Sequence, residues 1–483
     1  MRKNVTYSVI VPFFAVALIS ASTCVSAALT AKELSELGGA KYTPLGAIRA
    51  GNKEGTIPAW VDKPPVQPAD KKNDQWADPF ANEKPLFTIT PQNYEQYKDK
   101  LLPGQIAMFK RYPQTFRMHI YPTHRTAVYE PWVYEATKRQ AEKVTLHPDQ
   151  LTKGVVGLKD FVPGGGVPFP FPKNADEVEW NHELAPMQFQ VKGLTFSVLM
   201  DPAGNRVDVA FDNRETRPWW IKKEDVDKYP LFKQQGLKAV CPSMQTLIPA
   251  RSAGLLNGGC IGIDPHALNT YLYLPGQRRV RRAPEIGVHD SPSFGSDGLR
   301  TMAGWNMGYF GGEDSRHNRK IVGLKEAYVP YNTGKLSEDS VTANQLFGSK
   351  HINSDLIRYE LHRVWEIEAV RKPGIRHLYK RQVSYYDEDS WLGLAMEVYD
   401  DGDNLWRVGE QYYQYNFHTK TLVPYGDAQL DLINGRYVTF YWWYKIGQKE
   451  LGRSYEISFD SSVPLFNVED FYTPQGLRNS GMR

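Results

Sequence analysis

The residues Ala250-Arg251-Ser252-Ala253-Gly254 approximate the G-x-S-x-G turn that lifts a serine nucleophile between a strand and a helix. Pro249 stands before the turn and Asn257-Gly258-Gly259 follows closely, so the helix that such an elbow requires has no room. Serine hydrolysis through Ser252 is therefore an alternative with little support. His182-Glu183 runs into Leu184-Ala185-Pro186, which removes the second histidine of an HExxH zinc motif and places a helix breaker there. Asp400-Asp401-Gly402-Asp403-Asn404 has calcium-like composition, but its glycine is misplaced for an EF-hand, and a solvated hairpin tip is the better reading. Gly164-Gly165-Gly166 leads into Val167-Pro168-Phe169-Pro170, without the Lys-Ser/Thr that a phosphate loop needs. The 11 His have no metal-ligand spacing. No catalytic residue, metal or cofactor is expected.

The strongest charged feature is Arg278-Arg279-Val280-Arg281-Arg282. As a strand it splits its guanidiniums between two faces. It reads either as a charged edge that discourages strand-to-strand aggregation, or as a contact for an acidic headgroup or acidic partner.

The elements that would position these residues are mostly strands. Helical signals cover Ala31 to Leu37, Tyr94 to Phe109 around a break at Pro103, Glu130 to Lys143, and the charged stretch Trp219 to Leu237. Between them, Val61 to Pro91 is rich in proline and reads as an extended arm. Strands are predicted at Phe189 to Met200, Arg206 to Phe211, Ala267 to Leu274, Gln277 to Arg282 and Arg319 to Val329. Further strands follow at Arg376 to Tyr386, Leu392 to Tyr399, Leu405 to Phe417 and Arg436 to Ile446. The clearest alternation starts at Ile357. Tyr359, Leu361, Trp365, Ile367 and Ala369 share its parity, while Arg358, Glu360, His362, Glu366 and Glu368 fill the other, the mark of a half-buried strand. Arg363 is the one charge on the apolar parity. Consecutive strands without intervening helices imply a meander curled into a barrel or half-barrel.

At 483 residues, 41% hydrophobic and 23% charged, the chain is too polar for a multi-span membrane protein and too apolar for a disordered one. With 58 Lys+Arg against 54 Asp+Glu it lacks the basic excess of a nucleic-acid binder. Residues 1–27 have the three parts of a signal peptide: Arg2 and Lys3, the apolar run Val9 to Ser20, and Val25 and Ala27 before the cut. A retained anchor and lipidation at Cys24 are the alternatives, but the run is short and Thr23 fits a lipobox poorly. The expected location is the periplasm. Cleavage leaves two cysteines, Cys241 and Cys260, which suggest a disulfide; two separate buried thiols are the other possibility.

Three blocks carry a family resemblance: Leu37-Gly38-Gly39 through Gly55-Thr56-Ile57-Pro58-Ala59-Trp60, Gly165-Gly166-Val167-Pro168-Phe169-Pro170, and Tyr273-Leu274-Pro275-Gly276-Gln277 continuing through the arginine run to Ala283-Pro284. Lys325 to Asn332 and Leu405 to Glu410 add to them. The chain resembles domain-of-unknown-function family 1329, exported Gram-negative proteins similar to outer-membrane lipoprotein-sorting proteins. The resemblance implies an α+β fold, mainly antiparallel: an incomplete, half-open barrel plugged by helices, as in periplasmic lipoprotein carriers. It brings no agreed catalytic residues. The implied organisation is a signal peptide (1–27), an N-terminal extension (28–186), a carrier-like half-barrel (187–459) and a C-terminal tail (460–483).

Such a shape suits a non-enzymatic carrier or adaptor. Exposing a 16-carbon chain to water costs about 12 kcal/mol at ~0.8 kcal/mol per CH₂, and a greasy concavity removes most of that cost. Candidate lining residues on the apolar parities are Leu361, Trp365, Ile367, Leu392, Leu394, Met396, Trp406, Val408, Phe440 and Trp442, although for each of them plain core packing is the favoured reading. Arg363 would need a partner, an acid or a lid backbone. The expected partners are a lipid or other hydrophobic small molecule, with an inner-membrane exporter or an outer-membrane acceptor by analogy, and no nucleic acid. A structural subunit without cargo is the rival reading.

Overall fold

The computed structural model describes residues 28–148, 156–235, 238–263, 269–282, 293, 295–301, 316–440 and 456–482. The proposed signal peptide, Cys24 and Trp442 lie outside the described residues.

The first part of the chain supplies helices α1 (Ala31–Glu36), α2 (Pro103–Arg111), α3 (Pro131–Ala141) and α4 (Ala175–Glu183). Between them lie short strands β1 (Phe87–Ile89) and β2 (Met118–Ile120) and the hairpin β3 (Thr145–Pro148) and β4 (Val156–Lys159). Local chemistry sets the helix ends. The Thr30 hydroxyl accepts the Glu33 N–H while Glu33 returns the bond, and proline opens both α2 and α3 at the position whose N–H would have no partner. Lys and Arg close both of these helices, facing the negative end of the dipole.

Two meanders follow. The first comprises β5 (Gln190–Met200), β6 (Arg206–Thr216), β7 (Lys238–Ile248), β8 (Leu256–Gly262), β9 (Asn269–Leu274) and β10 (Arg279–Arg282). The second comprises β11 (His317–Pro330), β12 (Arg358–Arg371), β13 (Arg381–Asp387), β14 (Gly393–Tyr399), β15 (Leu405–Asn416), β16 (Thr421–Asp431) and β17 (Tyr437–Phe440). The short β18 (Glu456–Ser458) pairs with β5. An antiparallel β17–β5 pair joins the meanders into one sheet ordered β1-β2-β12-β13-β14-β15-β16-β17-β5-β6-β7-β8-β9-β10, with β11 along β12. All its pairings are antiparallel except β2 with β12. Among the described residues neither β1 nor β11 pairs with β10, so the sheet curls without closing. The fold is α+β, mainly antiparallel: an incomplete barrel with helices against it.

The described part of Trp219 to Leu237, up to Gln235, forms no continuous helix. It holds single turns at Pro218–Trp220 and Lys223–Lys228 and the short α5 (Pro230–Gln235). Pro230 interrupts it, and Trp219 and Trp220 are wholly buried, so no amphipathic face runs its length. Gly165 serves that packing. Its φ is +75°, and a Cβ there would lie 2.5 Å from the Trp220 ring. A short helix α6 (Ala343–Leu346) follows β11, and the tail ends in α7 (Glu469–Tyr472) and α8 (Pro474–Gly481). Leu477 of α8 packs with Leu256 and Tyr273 beside Val280, covering the sheet near its β10 edge.

Cys241 of β7 and Cys260 of β8 form a disulfide across neighbouring strands, with Cα atoms 4.1 Å apart. Strand β12 departs from the half-buried pattern: Arg358, Glu360 and His362 are buried along with Leu361 and Ile367. The N-terminal segment covers them and satisfies their polarity. Arg358 donates to Glu83 and to the Pro122 carbonyl, and Glu360 accepts from the His124 N–H.

Candidate cargo site beneath helix α2

Paired residues in neighbouring strands share a face of the sheet. Glu397 lies opposite Val408 and Val408 opposite Leu430, while Ala395 lies opposite Glu410 and Glu410 opposite Ala428. One face of β14–β16 therefore presents an apolar floor holding two carboxyl groups. Helix α2 lies on it. Leu102 at the N-cap and Gly104, Gln105 and Met108 from the helix, with Phe116 and Tyr412, complete the lining of a cavity of about 40 Å³. Sites for small molecules usually measure about 300–1,000 Å³, so α2 nearly fills this one.

Helix α2 is held by polar bonds at its start. Gly104 N–H donates to Glu397 Oε1 at 2.7 Å, Leu102 N–H to Gln105 Oε1 at 3.0 Å, and Gln105 Nε2 to the Tyr328 carbonyl at 2.8 Å. Glu397 Oε2 accepts from the hydroxyls of Tyr399 and Tyr385. Burial still raises its carboxyl above the ordinary value, against those hydrogen bonds. Burial also pushes Glu410 up to about 7, partly opposed by bonds from Tyr359, Gln105 and Tyr412. A Cβ on Gly104 would meet Val408 Cγ1 at 2.9 Å and Glu397 Oε1 at 3.3 Å. Gly104→Ala is therefore expected to loosen α2, at a cost of about 1–2 kcal/mol once alanine's better helix propensity is set against overpacking. Amide exchange in residues 103–111 should accelerate while the strands beneath keep their protection.

The apolar parities do not converge on one hollow. Leu361 and Val408 belong to the cluster on the α2 side. Ile367, Leu392 and Leu394 lie in a larger core, where Trp365 stacks 6.1 Å from Trp391. Met396 lies opposite Gly409 and Ser384, hence on the other face from Val408, and clusters with Tyr379, Val398 and Trp406. An irregularity where Tyr399 pairs with Leu405 turns Trp406 toward that group. Phe440 packs beside Phe211 and Val423. Arg278, Arg279, Arg281 and Arg282 lie at the edge, on β10 and the turn before it; Arg279, Arg281 and Arg282 are exposed, and Arg281 donates to Gln277. Ser252 occupies a single helical turn and its hydroxyl donates to the Pro249 carbonyl at 3.3 Å, with no histidine among the described residues bonded to it.

Arg363 has the kinds of partner its position demanded. Its Nε donates to Glu388 at 2.6 Å and its Nη2 to the carbonyls of Ile48 and Ala50. It belongs to a buried network that pins residues 48–58. Arg125 donates to both oxygens of Asp389, at 2.6 and 2.8 Å, and to the carbonyls of Ile48, Arg49 and Pro58. Asp387 accepts from Tyr331 and Ser390, and His362 bonds Glu360 at 3.1 Å. Ligand atoms of His362, Asp387 and Asp389 lie within 4.8 Å of one another, a distance a metal could bridge. A guanidinium already occupies both Asp389 oxygens, so Asp389 is paired without a metal.

The sequence reading missed α2 as a cover and both carboxyls beneath it. The available signal was Glu397 between Met396 and Val398, an acid inside an otherwise apolar strand.

The family described as "Protein of unknown function (DUF1329)" matches residues 88–478. The uncharacterized protein PA3922 of Pseudomonas aeruginosa is 38% identical over 476 residues, covering 97% of each chain. Two solved structures are similar at low identity. A DUF1329 family protein from Desulfovibrio piger has TM-score 0.38 and 11% identity, covering 62% of this chain and 97% of its own. The LolA superfamily protein NE2245 from Nitrosomonas europaea has TM-score 0.34 and 7% identity, covering 62% and 99%. With its matched span reaching from β1 to the last helix, the chain belongs to the DUF1329 family.

Proposed function

We propose that the protein is a periplasmic, non-enzymatic carrier or adaptor that takes hydrophobic, lipid-like molecules onto the floor of β14–β16 when α2 withdraws. The observation that carries the reading is a short helix, anchored by a few polar bonds, covering an apolar face inside an unclosed barrel. Acyl chains would replace the contacts made by Leu102 and Met108, and most of their cost of exposure to water would vanish. The proposed lining on the α2 side is Val408 and Leu361; Met396, Leu394, Leu392, Ile367, Trp365, Trp406 and Phe440 pack in other clusters and would support the sheet rather than line that floor, and Trp442 lies outside the described residues. Arg278, Arg279, Arg281 and Arg282 at the sheet edge would meet acidic headgroups or an acidic partner, such as an inner-membrane exporter or an outer-membrane acceptor. Residues 1–27 would direct export and be removed from the mature protein.

A cargo-free structural subunit is the second reading, favoured by how little space α2 leaves. Native mass spectrometry of protein purified from its own periplasm separates the two. Carriage predicts adducts of lipid-like mass that organic extraction removes. Protein that stays cargo-free in that compartment overturns carriage.

A further inference from the structure

We infer that the cargo is an amphiphile whose polar end donates hydrogen bonds and carries no negative charge. The inference rests on the carrier reading and concerns what the floor beneath α2 would recognise.

In the covered state α2 stands in for a ligand. Glu397 Oε2 is held by Tyr385 and Tyr399, which belong to the sheet and stay when the helix leaves. The bond to Oε1 comes from Gly104 N–H, which leaves with the helix. Glu410 Oε2 likewise keeps Tyr359 and Tyr412. Withdrawal of α2 thus strips a donor from a buried acceptor on an apolar floor. A bare alkyl chain would leave that oxygen unsatisfied, a carboxylate or phosphate would meet two acids, and a hydroxyl or amine would restore the lost bond. Donor-rich, uncharged or cationic headgroups are the chemistry that fits.

The test titrates the full-length mature protein by calorimetry at pH 7.5 with three C16 probes below their micelle concentrations: 1-monopalmitoylglycerol, methyl palmitate and palmitate. The glycerol ester is expected to bind at least about tenfold tighter than either of the others, the scale of one buried acceptor left without its hydrogen bond. Glu397→Met, checked for folding by circular dichroism, should reduce that preference to about twofold while methyl palmitate binds no worse. Equal binding of the three probes, or tightest binding of palmitate, overturns the headgroup inference and leaves carriage standing. Failure of every probe to bind overturns carriage as well. If Glu397→Met does not fold, the wild-type ranking alone decides.

Discussion

Arg125→Met is expected to destabilise the protein by about 3–5 kcal/mol, the usual cost of removing one partner from a buried ion pair. The Arg125 and Asp389 side chains are 3% and 4% exposed, so the substitution leaves a carboxylate in the interior with no counter-charge. It also removes the Arg125 bonds to the carbonyls of Ile48, Arg49 and Pro58, leaving Ile48 with Arg363 and Arg49 with the Trp60 N–H, and so weakens the hold on residues 48–58. Chemical denaturation should show the loss, and limited proteolysis should cut first within residues 48–60. Arg117→Met is the control. Its pair with Asp355 is 46% and 42% exposed, so its removal should cost about 1 kcal/mol or less. Equal losses in the two variants would show that Arg125 anchors nothing beyond a surface pair.

That anchor marks where the sequence stops being legible. Alternation located β12, β14 and β15 because a strand with one apolar parity has few other structures open to it, and Asp201 to Asn205 revealed the β5–β6 turn. Strands β7, β8 and β16 escaped notice. Thr421–Asp431 carries Pro424 and Gly426, and Leu256–Gly262 carries Gly258 and Gly259, so their composition resembles loops until neighbouring strands pair with them. The burial of Arg358, Glu360 and His362 was illegible for another reason. Local pattern assigns polar residues to solvent, whereas their partners Glu83 and His124 come from more than 200 residues away in the chain. The site shares this difficulty: Glu397 acquires meaning only when Gly104, 293 positions earlier, is laid against it.

Glu410→Gln is expected to stabilise the protein at pH 8 and to change little at pH 4.5. The Glu410 carboxyl titrates at about 7 in the folded chain, against an ordinary value of 4.5, because burial disfavours its ionised form. Between those values the native state holds a proton that the unfolded state has released. Stability therefore falls as pH rises from 4.5 through 7, by about 1.4 kcal/mol per unit and about 3 kcal/mol in all. Glutamine removes the ionisation and with it that slope. Glu388, also raised to about 7, has the same sign but is unchanged in both proteins, so it cancels from the difference. Glu360 cancels too; burial would raise it, but His362 and Arg358 prevail and hold it at about 2, so its effect falls in acid. Urea unfolding of both proteins at pH 4.5 and 8 reads the result directly, and an equal gain at the two pH values would mean that Glu410 is not ionised at the cost its surroundings imply. Since Glu410 lies beneath α2, its ionisation above neutrality strains the same cover that Glu397 helps to hold. Amide exchange in α2 should therefore quicken from pH 6 to pH 8 in the wild-type protein, beyond the intrinsic rise, and the Gln variant should lose that excess.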